Sequence, residues 1–381
     1  MQRPWLKLAA VLFAVGWGTN HFGALLIVYR HHLGLGPAAP AALFGMYALG
    51  LVPGLLLAGP LSDRLGRRAL VLPASAVTLV ASAALAFAQD SFYGLLAGRL
   101  VFGLAAGAAM SPGSAWMLEL SADAPPGTGA RRATIALSAG FGLGPLASGA
   151  LAQWAPAPMV LPYVGHGIVG LAALAIGFAI PAGRAPVHVA TLARRPLVRI
   201  SLDGPSWRRF LRRVVPMAPW VFGFPAIAFV SLPQLAGPGL GGTPLFAGVL
   251  AAITLWTGVL LQPLTRRFSP DAGARLGLAI GCAGILVGAV AVGAPVPQLC
   301  IVAAALLGGG YGVCMTSGLR TVEGLAPPET RGGLTGLYYV LTYTGFAAPF
   351  ILSLVVGSSA VLALVITAGL AALVAATLPS R

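Results

Sequence analysis

The chain has 381 residues, a net charge of +15 at pH 7, 58% hydrophobic residues and only 8% charged residues. An ordinary soluble domain carries about 25% charged residues, so the composition excludes that class. Apolar stretches of about 20 residues recur along the chain, and each could cross a hydrocarbon core of roughly 30 Å as a helix. The arginines lie in short loops without a nucleic-acid-binding motif, so a membrane explains the charge better than a nucleic-acid partner.

The hydropathy pattern predicts an all-α membrane protein with twelve transmembrane helices, because lipid offers backbone groups no hydrogen-bond partners. The predicted spans are 6–29, 41–58, 69–88, 92–112, 133–153, 161–180, 214–233, 244–264, 276–293, 298–318, 333–355 and 360–378. The longest polar stretch, 181–213, separates six spans from six. We therefore predict two pseudo-symmetric six-helix bundles, 1–180 and 214–381, joined by a basic cytoplasmic linker, 181–213. An internal repeat supports this division, since Gly107-Ala-Ala-Met110-Ser111 resembles Gly312-Val-Cys-Met315-Thr316.

The basic residues predict the orientation of the chain. Of the 23 lysines and arginines, 21 fall at the termini or in the even-numbered loops, and this side is expected to be cytoplasmic. Both termini are then cytoplasmic, and the arginine-rich, lysine-poor composition suggests a bacterial inner membrane. The apolar run after Arg3 and Lys7 is too long for a signal peptide and is assigned to span 1. The three cysteines lie in apolar segments without metal-binding spacing, so no metal or other cofactor is expected.

Span 1 carries the first candidate functional residues, Asn20 and His21. A histidine inside a membrane span can accept a relayed proton. An equally supported alternative is a structural histidine that is hydrogen-bonded to a neighbouring helix. The sequence Arg30-His31-His32 marks the outer end of the span and is interpreted as an interfacial anchor, because the paired histidines lack further metal ligands.

The most informative segment lies between spans 2 and 3, where a polar hairpin reads Gly59-Pro60-Leu61-Ser62-Asp63-Arg64-Leu65-Gly66-Arg67-Arg68. This pattern resembles the loop after the second helix of major facilitator superfamily transporters. The resemblance implies the fold of that superfamily and a gating latch made by Gly59, Asp63, Arg64, Gly66, Arg67 and Arg68. It also implies that Asp63 lies near the start of span 11 and that the arginines bind nearby acids or carbonyls, with Glu119 the first candidate. The alternative is a charged turn that only fixes topology.

Span 4 contains Arg99, about 10 Å inside the predicted span. An arginine at the bilayer centre costs about 2.5–3.5 kcal/mol of insertion free energy, so Arg99 is expected to have a functional role. Gly103 and Gly107 share its face, which predicts close helix packing and an Arg99 that points into protein. The sequence Arg99-x-x-x-Gly103 also resembles a motif of proton-coupled exporters in the superfamily. The alternative is a side chain that reaches the outer interface.

Span 5 combines glycines with a proline, at Gly140, Gly144, Pro145 and Gly149. Such residues weaken a helix and allow a neighbouring helix to approach closely. The segment partly resembles the span 5 motif of drug:proton antiporters, although one upstream and one downstream glycine of that motif are absent. A tightly packed, kinked helix is the alternative interpretation.

The remaining candidates lie in the second half of the chain and are mostly aromatic. They are Trp220 in span 7, Tyr311 in span 10, and Tyr338, Tyr339 and Tyr343 in span 11. Intramembrane polar groups usually face the interior of a bundle or a wet cavity. Spans 1, 4, 10 and 11 are therefore expected to surround a substrate or proton pathway. Spans 3, 6, 9 and 12 have few polar residues beyond His166 and are expected to face lipid.

No nucleophile–base pair, metal cluster or phosphate-binding loop is recognisable, so the chain is not expected to be an enzyme. The resemblance implies a secondary transporter working by alternating access, expected to act as a monomer on a small-molecule substrate. The preferred hypothesis is export of small, partly hydrophobic compounds driven by a proton gradient. One alternative is an importer or uniporter of a small neutral or anionic solute, with Arg99 binding its negative group. Another is a receptor or scaffold that does not transport.

Overall fold

The computed structural model describes residues 3–181, 202–236, 242–294, 296–325, 331–355 and 359–379. Every regular element in these ranges is helical, and twelve helical segments are long and apolar enough to cross a membrane, as predicted. By internal contacts the chain divides into two compact units. The first, unit 1, contains Met1–Gly34 and Leu43–Leu197, and the second, unit 2, contains Leu35–Ala42 and Val198–Arg381.

Six long helices form the spans of the first half. They are α1 (Pro4–His32), α2 (Ala39–Leu65), α3 (Arg67–Phe87), α4 (Phe92–Glu119), α5 (Thr128–Trp154) and α6 (Leu161–Phe178). Each runs as an unbroken α-helix, even where prolines such as Pro112 and Pro145 lie inside it.

The helices of the second half are more often interrupted. They are α7 (Gly204–Arg213), α8 (Ala218–Ala226), α9 (Leu232–Leu235), α10 (Pro244–Leu261), α11 (Pro270–Gly293), α12 (Gln298–Leu325), α13 (Arg331–Tyr343), α14 (Ala348–Val355) and α15 (Ala360–Thr377). A π-helical segment, Ile227–Ser231, joins α8 to α9 within span 7. Two 3₁₀ segments, Gln262–Arg267 and Thr344–Ala347, extend α10 and join α13 to α14.

Helix α1 is the central helix of unit 1. Its most apolar window is 83% buried, against 33% for α6. It packs chiefly against α5, where Gly140 and Gly144 face the carbonyl oxygens of Phe13 and Trp17 so closely that a β-carbon would overlap them. The glycines of span 5 therefore allow the backbones of α1 and α5 to touch.

The crossing of α2 and α4 is built in the same way. A β-carbon on Gly103 would overlap the carbonyl oxygen of Tyr47, and one on Gly107 would meet that of Leu51. On α2, Gly50 likewise faces the backbone of α4. Because glycines on both helices lie at the contact, Arg99 one turn earlier is held close to α2.

The polar hairpin predicted between spans 2 and 3 is shorter than expected. Asp63 and Arg64 belong to the last turn of α2, Arg67 and Arg68 to the first turn of α3, and only Gly66 is not helical. Gly66 has φ +95° and ψ 145°, a conformation that essentially only glycine adopts. The predicted loop is therefore a one-residue turn between two long helices.

In unit 2, α11 and α12 form an extensive pair, and α15 packs on α11. Glycines again bring backbones together, since Gly310 faces α11 and Gly312 faces the carbonyl oxygen of Gly258 on α10. Of the predicted linker, 182–201 lie outside the described residues, and the part that is described forms α7. Residues 326–330, including Glu329, also lie outside the described ranges.

Candidate functional site

Arg99 lies at the centre of a buried polar cluster in unit 1. Its side chain is 0% exposed. The guanidinium carbon lies 4.4 Å from the ring centre of Phe22 and 4.6 Å from that of Tyr47, and Nε is 3.4 Å from the carbonyl oxygen of Leu43, to which it donates. Neither Nη1 nor Nη2 has a hydrogen-bond partner among the described residues. Cation–π contacts compensate part of the desolvation of this charge, and the two terminal NH₂ groups remain without a hydrogen bond among the described residues.

His21 lies one helix away and is also 0% exposed. Its Nδ1 is 2.7 Å from the carbonyl oxygen of Gly18, which can only accept, so Nδ1 carries a proton. In the neutral ring Nε2 is then an acceptor, and no hydrogen-bond partner for it lies within the described residues. His21 is thus equipped to take up a proton at Nε2. Its neighbour Asn20 is half-buried.

His166 lies in span 6, which is expected to face lipid, but on the side of α6 that packs into unit 1. It is 0% exposed, and its ring stacks on that of His21 with the centroids 5.2 Å apart. Its Nδ1 is 2.9 Å from Ser82 Oγ on α3. One face of α6 carries exposed apolar side chains, whereas the face with His166 packs into the unit. The polar content of a span therefore does not decide alone whether it contributes to a buried cluster.

Two tyrosines close the cluster. Tyr163 on α6 meets the His21 ring edge-on at 5.1 Å, and its hydroxyl forms a 2.8 Å hydrogen bond with that of Tyr29 on α1. Both phenol rings are buried. We name Arg99, His21, His166, Tyr29, Tyr47 and Tyr163 the Arg99 cluster.

The Arg99 cluster contains no acidic group. Within the described residues of unit 1 the acids are Asp63, Asp90, Glu119 and Asp123, and all four are exposed at or near helix ends. Asp90, for example, pairs with His32 at 2.6 Å on the surface. The three basic side chains of the cluster thus lack a buried carboxylate counter-ion in this part of the chain.

The residues of the predicted latch form ion pairs at the basic ends of the helices. Arg67 Nη1 is 2.6 Å from Asp63 Oδ1, and Arg67 Nε donates to Glu119 Oε1 at 2.9 Å. Arg67 also donates to Ser62 Oγ at 2.5 Å, and Ser62 Oγ to the carbonyl oxygen of Gly59. Arg67 thereby joins the ends of α2, α3 and α4.

Arg68 makes the second connection of this group. It donates to the carbonyl oxygens of Ile180 and Phe178 at 2.5 and 2.8 Å and so binds the end of α6 to the start of α3. Asp63 is about half-exposed, with 48% of its side chain accessible. The side chain of Arg331, near the segment that the resemblance placed next to Asp63, lies outside the described residues.

In unit 2, Phe222, Tyr311, Tyr343 and Phe346 form a group that we name the aromatic cluster. Phe222 on α8 stacks on Tyr343 with a centroid distance of 4.5 Å and an interplanar angle of 15°. It also lies 5.7 Å from Tyr311 and 5.2 Å from Phe346. Three of the rings, those of Phe222, Tyr311 and Tyr343, are only partly buried, so part of the surface of each is accessible.

The other predicted aromatic residues lie around this cluster. Tyr338 is fully buried and its hydroxyl donates to the carbonyl oxygen of Met315 at 3.1 Å, which ties α13 to α12. Tyr339 lies next to Tyr338, with the ring centres 5.9 Å apart. Trp220 contacts Phe224 at 5.5 Å. Span 7 thus contributes Phe222 to the cluster, and Trp220 packs against Phe224.

Comparison with known proteins gives the fold and the family. A family model described as Major Facilitator Superfamily matches residues 8–236. A POT family transporter in complex with 5-aminolevulinic acid has TM-score 0.80 at 12% identity, covering 99% of this chain and 95% of that one. The nucleoside transporter NupG has TM-score 0.73 at 13% identity, with 98% of each chain covered.

A sequence relative is a D-xylose transporter of Levilactobacillus brevis, 29% identical over 121 residues. The matched region is 32% of this chain and 26% of that protein, so this chain spans about a quarter of the length of that relative. The family match, in contrast, extends over more than half of the chain. This protein therefore belongs to the Major Facilitator Superfamily, and it is a multi-pass membrane transporter rather than an enzyme.

Proposed function

We propose that the chain exports small, partly hydrophobic compounds by alternating access, with proton entry as the driving force. The observation that carries the proposal is the stacked pair of His21 and His166, each with Nε2 unpartnered among the described residues, in a core without a buried acid. Acids usually carry protons in such carriers, and here the Nε2 atoms of the two imidazoles are the candidate proton acceptors of the cluster.

The geometry of the Arg99 cluster makes the protonation of the histidine pair depend on the positions of the helices around Arg99. Arg99 is a permanent positive charge whose terminal nitrogens lack partners in the described residues. A change in the packing of α1 against α4 alters the distance between this charge and His21. Protonation of the pair and movement of these helices are thereby coupled, which is what a proton-driven carrier requires.

The aromatic cluster of unit 2 supports the proposed substrate class. Phe222, Tyr311 and Tyr343 offer partly exposed faces suited to stacking on an apolar or aromatic compound. The phenol groups add polar contacts without charge. This combination favours compounds that are partly hydrophobic over strongly polar ones.

The direction of transport is inferred from two motifs. Arg99-x-x-x-Gly103 resembles a motif of proton-coupled exporters, and Gly144-Pro145 partly resembles one of antiporters. Both lie at helix crossings where backbones touch, α2 with α4 and α1 with α5. Both crossings involve helices that carry residues of the Arg99 cluster, and this supports a role of the two motifs in proton entry.

Purified protein in proteoliposomes tests the proposal with ethidium as the probe. We expect an imposed pH gradient to increase ethidium flux several-fold. His21→Asn and His166→Asn should make the residual flux insensitive to the gradient, because asparagine preserves a hydrogen-bonding group but does not titrate. His31→Asn, which removes an exposed histidine from the same helix as His21, is the matched control. If ethidium flux through the unmodified protein is the same with and without the pH gradient, proton coupling is ruled out.

One observation favours a second candidate, transport of a small anionic or neutral organic solute. The two unpartnered nitrogens of Arg99 could bind a carboxylate bidentately. Proteins of similar fold transport peptides or nucleosides, and the sequence relative is a D-xylose transporter. Selective loss of anion uptake in Arg99→Ala, with neutral solutes unaffected, would favour this candidate. Equal loss for both solute classes would indicate a structural or coupling role for Arg99.

A further inference from the structure

The chain segment before span 7 forms a ten-residue amphipathic helix, α7. Asp203 caps it by accepting a hydrogen bond from the backbone N–H of Ser206 at 2.9 Å. Hydrogen bonds from the side chain and backbone of Ser206 hold the pKa of the Asp203 carboxyl below its ordinary value. The charged cap fixes the start of α7 and stabilises its N-terminal end through the helix dipole.

One face of α7 is held against unit 2. Phe210 is 1% exposed and anchors the helix. Arg213 Nη1 forms a 2.7 Å ion pair with Asp271 Oδ2 in the first turn of α11. Trp207 stacks on Phe210 with the ring centres 5.5 Å apart and the planes 13° apart. Because these contacts hold one side of α7, the rest of its surface, which includes the exposed part of Trp207, has a fixed orientation.

This remaining surface of α7 combines exposed apolar and basic residues. Trp207 and Leu211 are 40% and 45% exposed. Arg208, Arg209 and Arg212 are exposed as well. With 3.6 residues per turn, the positions follow around the helix in the order Trp207, Leu211, Arg208, Arg212, Arg209. A strip of apolar surface is thus bordered by a strip of positive charge.

The arginines on this side have few internal partners. Among the described residues, Arg208 and Arg212 form no ion pair with an acid, and Arg209 interacts electrostatically with the cap residue Asp203. The helix also lies next to the membrane, because a turn of four residues, 214–217, separates it from α8 in span 7.

We propose that the exposed side of α7 binds the headgroups of anionic phospholipids. Trp207 would lie at headgroup depth, Leu211 would reach the acyl boundary, and Arg208 and Arg212 would bind phosphate oxygens. A basic linker that is merely solvated needs no exposed tryptophan and leucine. An acidic protein or a nucleic acid would use the arginines and leave those apolar residues in water, so the bilayer surface accounts for the whole strip.

Native mass spectrometry of the full chain in detergent tests this, with phosphatidylglycerol and phosphatidylcholine added in equal amounts. We expect the unmodified protein to retain more phosphatidylglycerol. Arg208→Gln with Arg212→Gln should lower the preference at least about tenfold, given roughly fivefold for each basic side chain near an anionic surface. Arg208→Lys with Arg212→Lys keeps the charge and should retain most of the preference.

A matched control removes the same charge elsewhere. Arg266→Gln with Arg267→Gln changes two exposed arginines at the end of span 8 and should leave most of the preference intact. Circular dichroism and gel filtration establish that each variant is folded and monodisperse. If Arg266→Gln with Arg267→Gln lowers the preference for phosphatidylglycerol as much as Arg208→Gln with Arg212→Gln does, the assignment to α7 is overturned. Retention of the two lipids in equal amounts by the unmodified chain, or preferential binding of an acidic protein or RNA at α7, would overturn the lipid partner.

Discussion

At the scale of single residues, glycine decides where helices of this protein touch. Gly103 and Gly107 on α4, like Gly140 and Gly144 on α5, face carbonyl oxygens of a neighbouring helix. In a membrane, helices gain little from excluding apolar side chains from one another, so close backbone packing contributes much of the association. Arg99 depends on this packing, because the α2–α4 contact holds Tyr47 over its guanidinium.

Gly103→Ala tests that dependence. The added methyl group would overlap the carbonyl oxygen of Tyr47, so α2 must move away and stability should fall by roughly 1–3 kcal/mol. Thermal unfolding in detergent measures the change. The matched control is Gly45→Ala in α2, where a β-carbon meets no atom within 4 Å. This control should be neutral or gain up to about 1 kcal/mol, since alanine favours helix. Equal stability of the two variants would refute the role of Gly103.

At the scale of elements, the junction of α2 and α3 is a turn with charged ends. Arg67 connects α2, α3 and α4, and Arg68 connects α3 with the end of α6. Exposed ion pairs contribute only about 0–1 kcal/mol each, so they add little to the stability of the fold. Their exposure makes them inexpensive to break and remake, which suits contacts that change during a transport cycle.

Asp63→Asn should therefore slow transport while leaving substrate binding nearly intact. The substitution removes the charge that faces Arg67 Nη1 at 2.6 Å and changes little else, so thermal stability should shift by less than about 1 kcal/mol. Flux in proteoliposomes and ethidium binding measure the two effects separately. Asp90→Asn, which removes an exposed acid of unit 1 paired with His32, should leave flux unchanged. Loss of binding in Asp63→Asn would contradict a latch.

The number and approximate positions of the spans could be predicted from sequence, because twenty apolar residues in a row have few alternatives. The cluster around Arg99 could be predicted only in part. Arg99 and His21 are recognisable as polar residues in apolar spans, but Tyr163 and His166 are single polar residues on an otherwise apolar α6. Which face of α6 is buried depends on contacts with α1 and α3, and these are not encoded in the local composition.

At the scale of the whole molecule, unit 1 holds the basic Arg99 cluster and unit 2 the aromatic cluster. The two halves thus differ chemically: unit 1 contains buried imidazole and guanidinium groups, and unit 2 contains partly exposed aromatic rings. A transporter in which protons and substrate are handled by different halves can couple them through the rearrangement of the halves. No direct contact between proton and substrate is then required.

Alternating access is testable with cysteines placed in both units. Asn20→Cys in α1 and Phe222→Cys in α8, in a background with Cys282, Cys300 and Cys314 replaced by alanine, report on half-buried positions in spans 1 and 7. A membrane-impermeant maleimide should label each from one side at a time, and the labelled side should change when the pH gradient or ethidium is added. His31→Cys, at an exposed helix end, should be labelled from one side throughout. Identical labelling from both sides in every condition would instead support a receptor or scaffold.

The interruptions in the helices have a mechanical consequence. Within the described residues, π-helical and 3₁₀ segments occur in spans 7, 8 and 11, and the six spans of the first half are continuous α-helix. A span whose backbone hydrogen-bond register changes midway bends more easily than one in which the register is uniform. Deformation during the cycle is thus expected inside individual spans of unit 2. In unit 1, whose spans are continuous α-helices, movement is expected as shifts of whole helices against one another rather than as bending within a span.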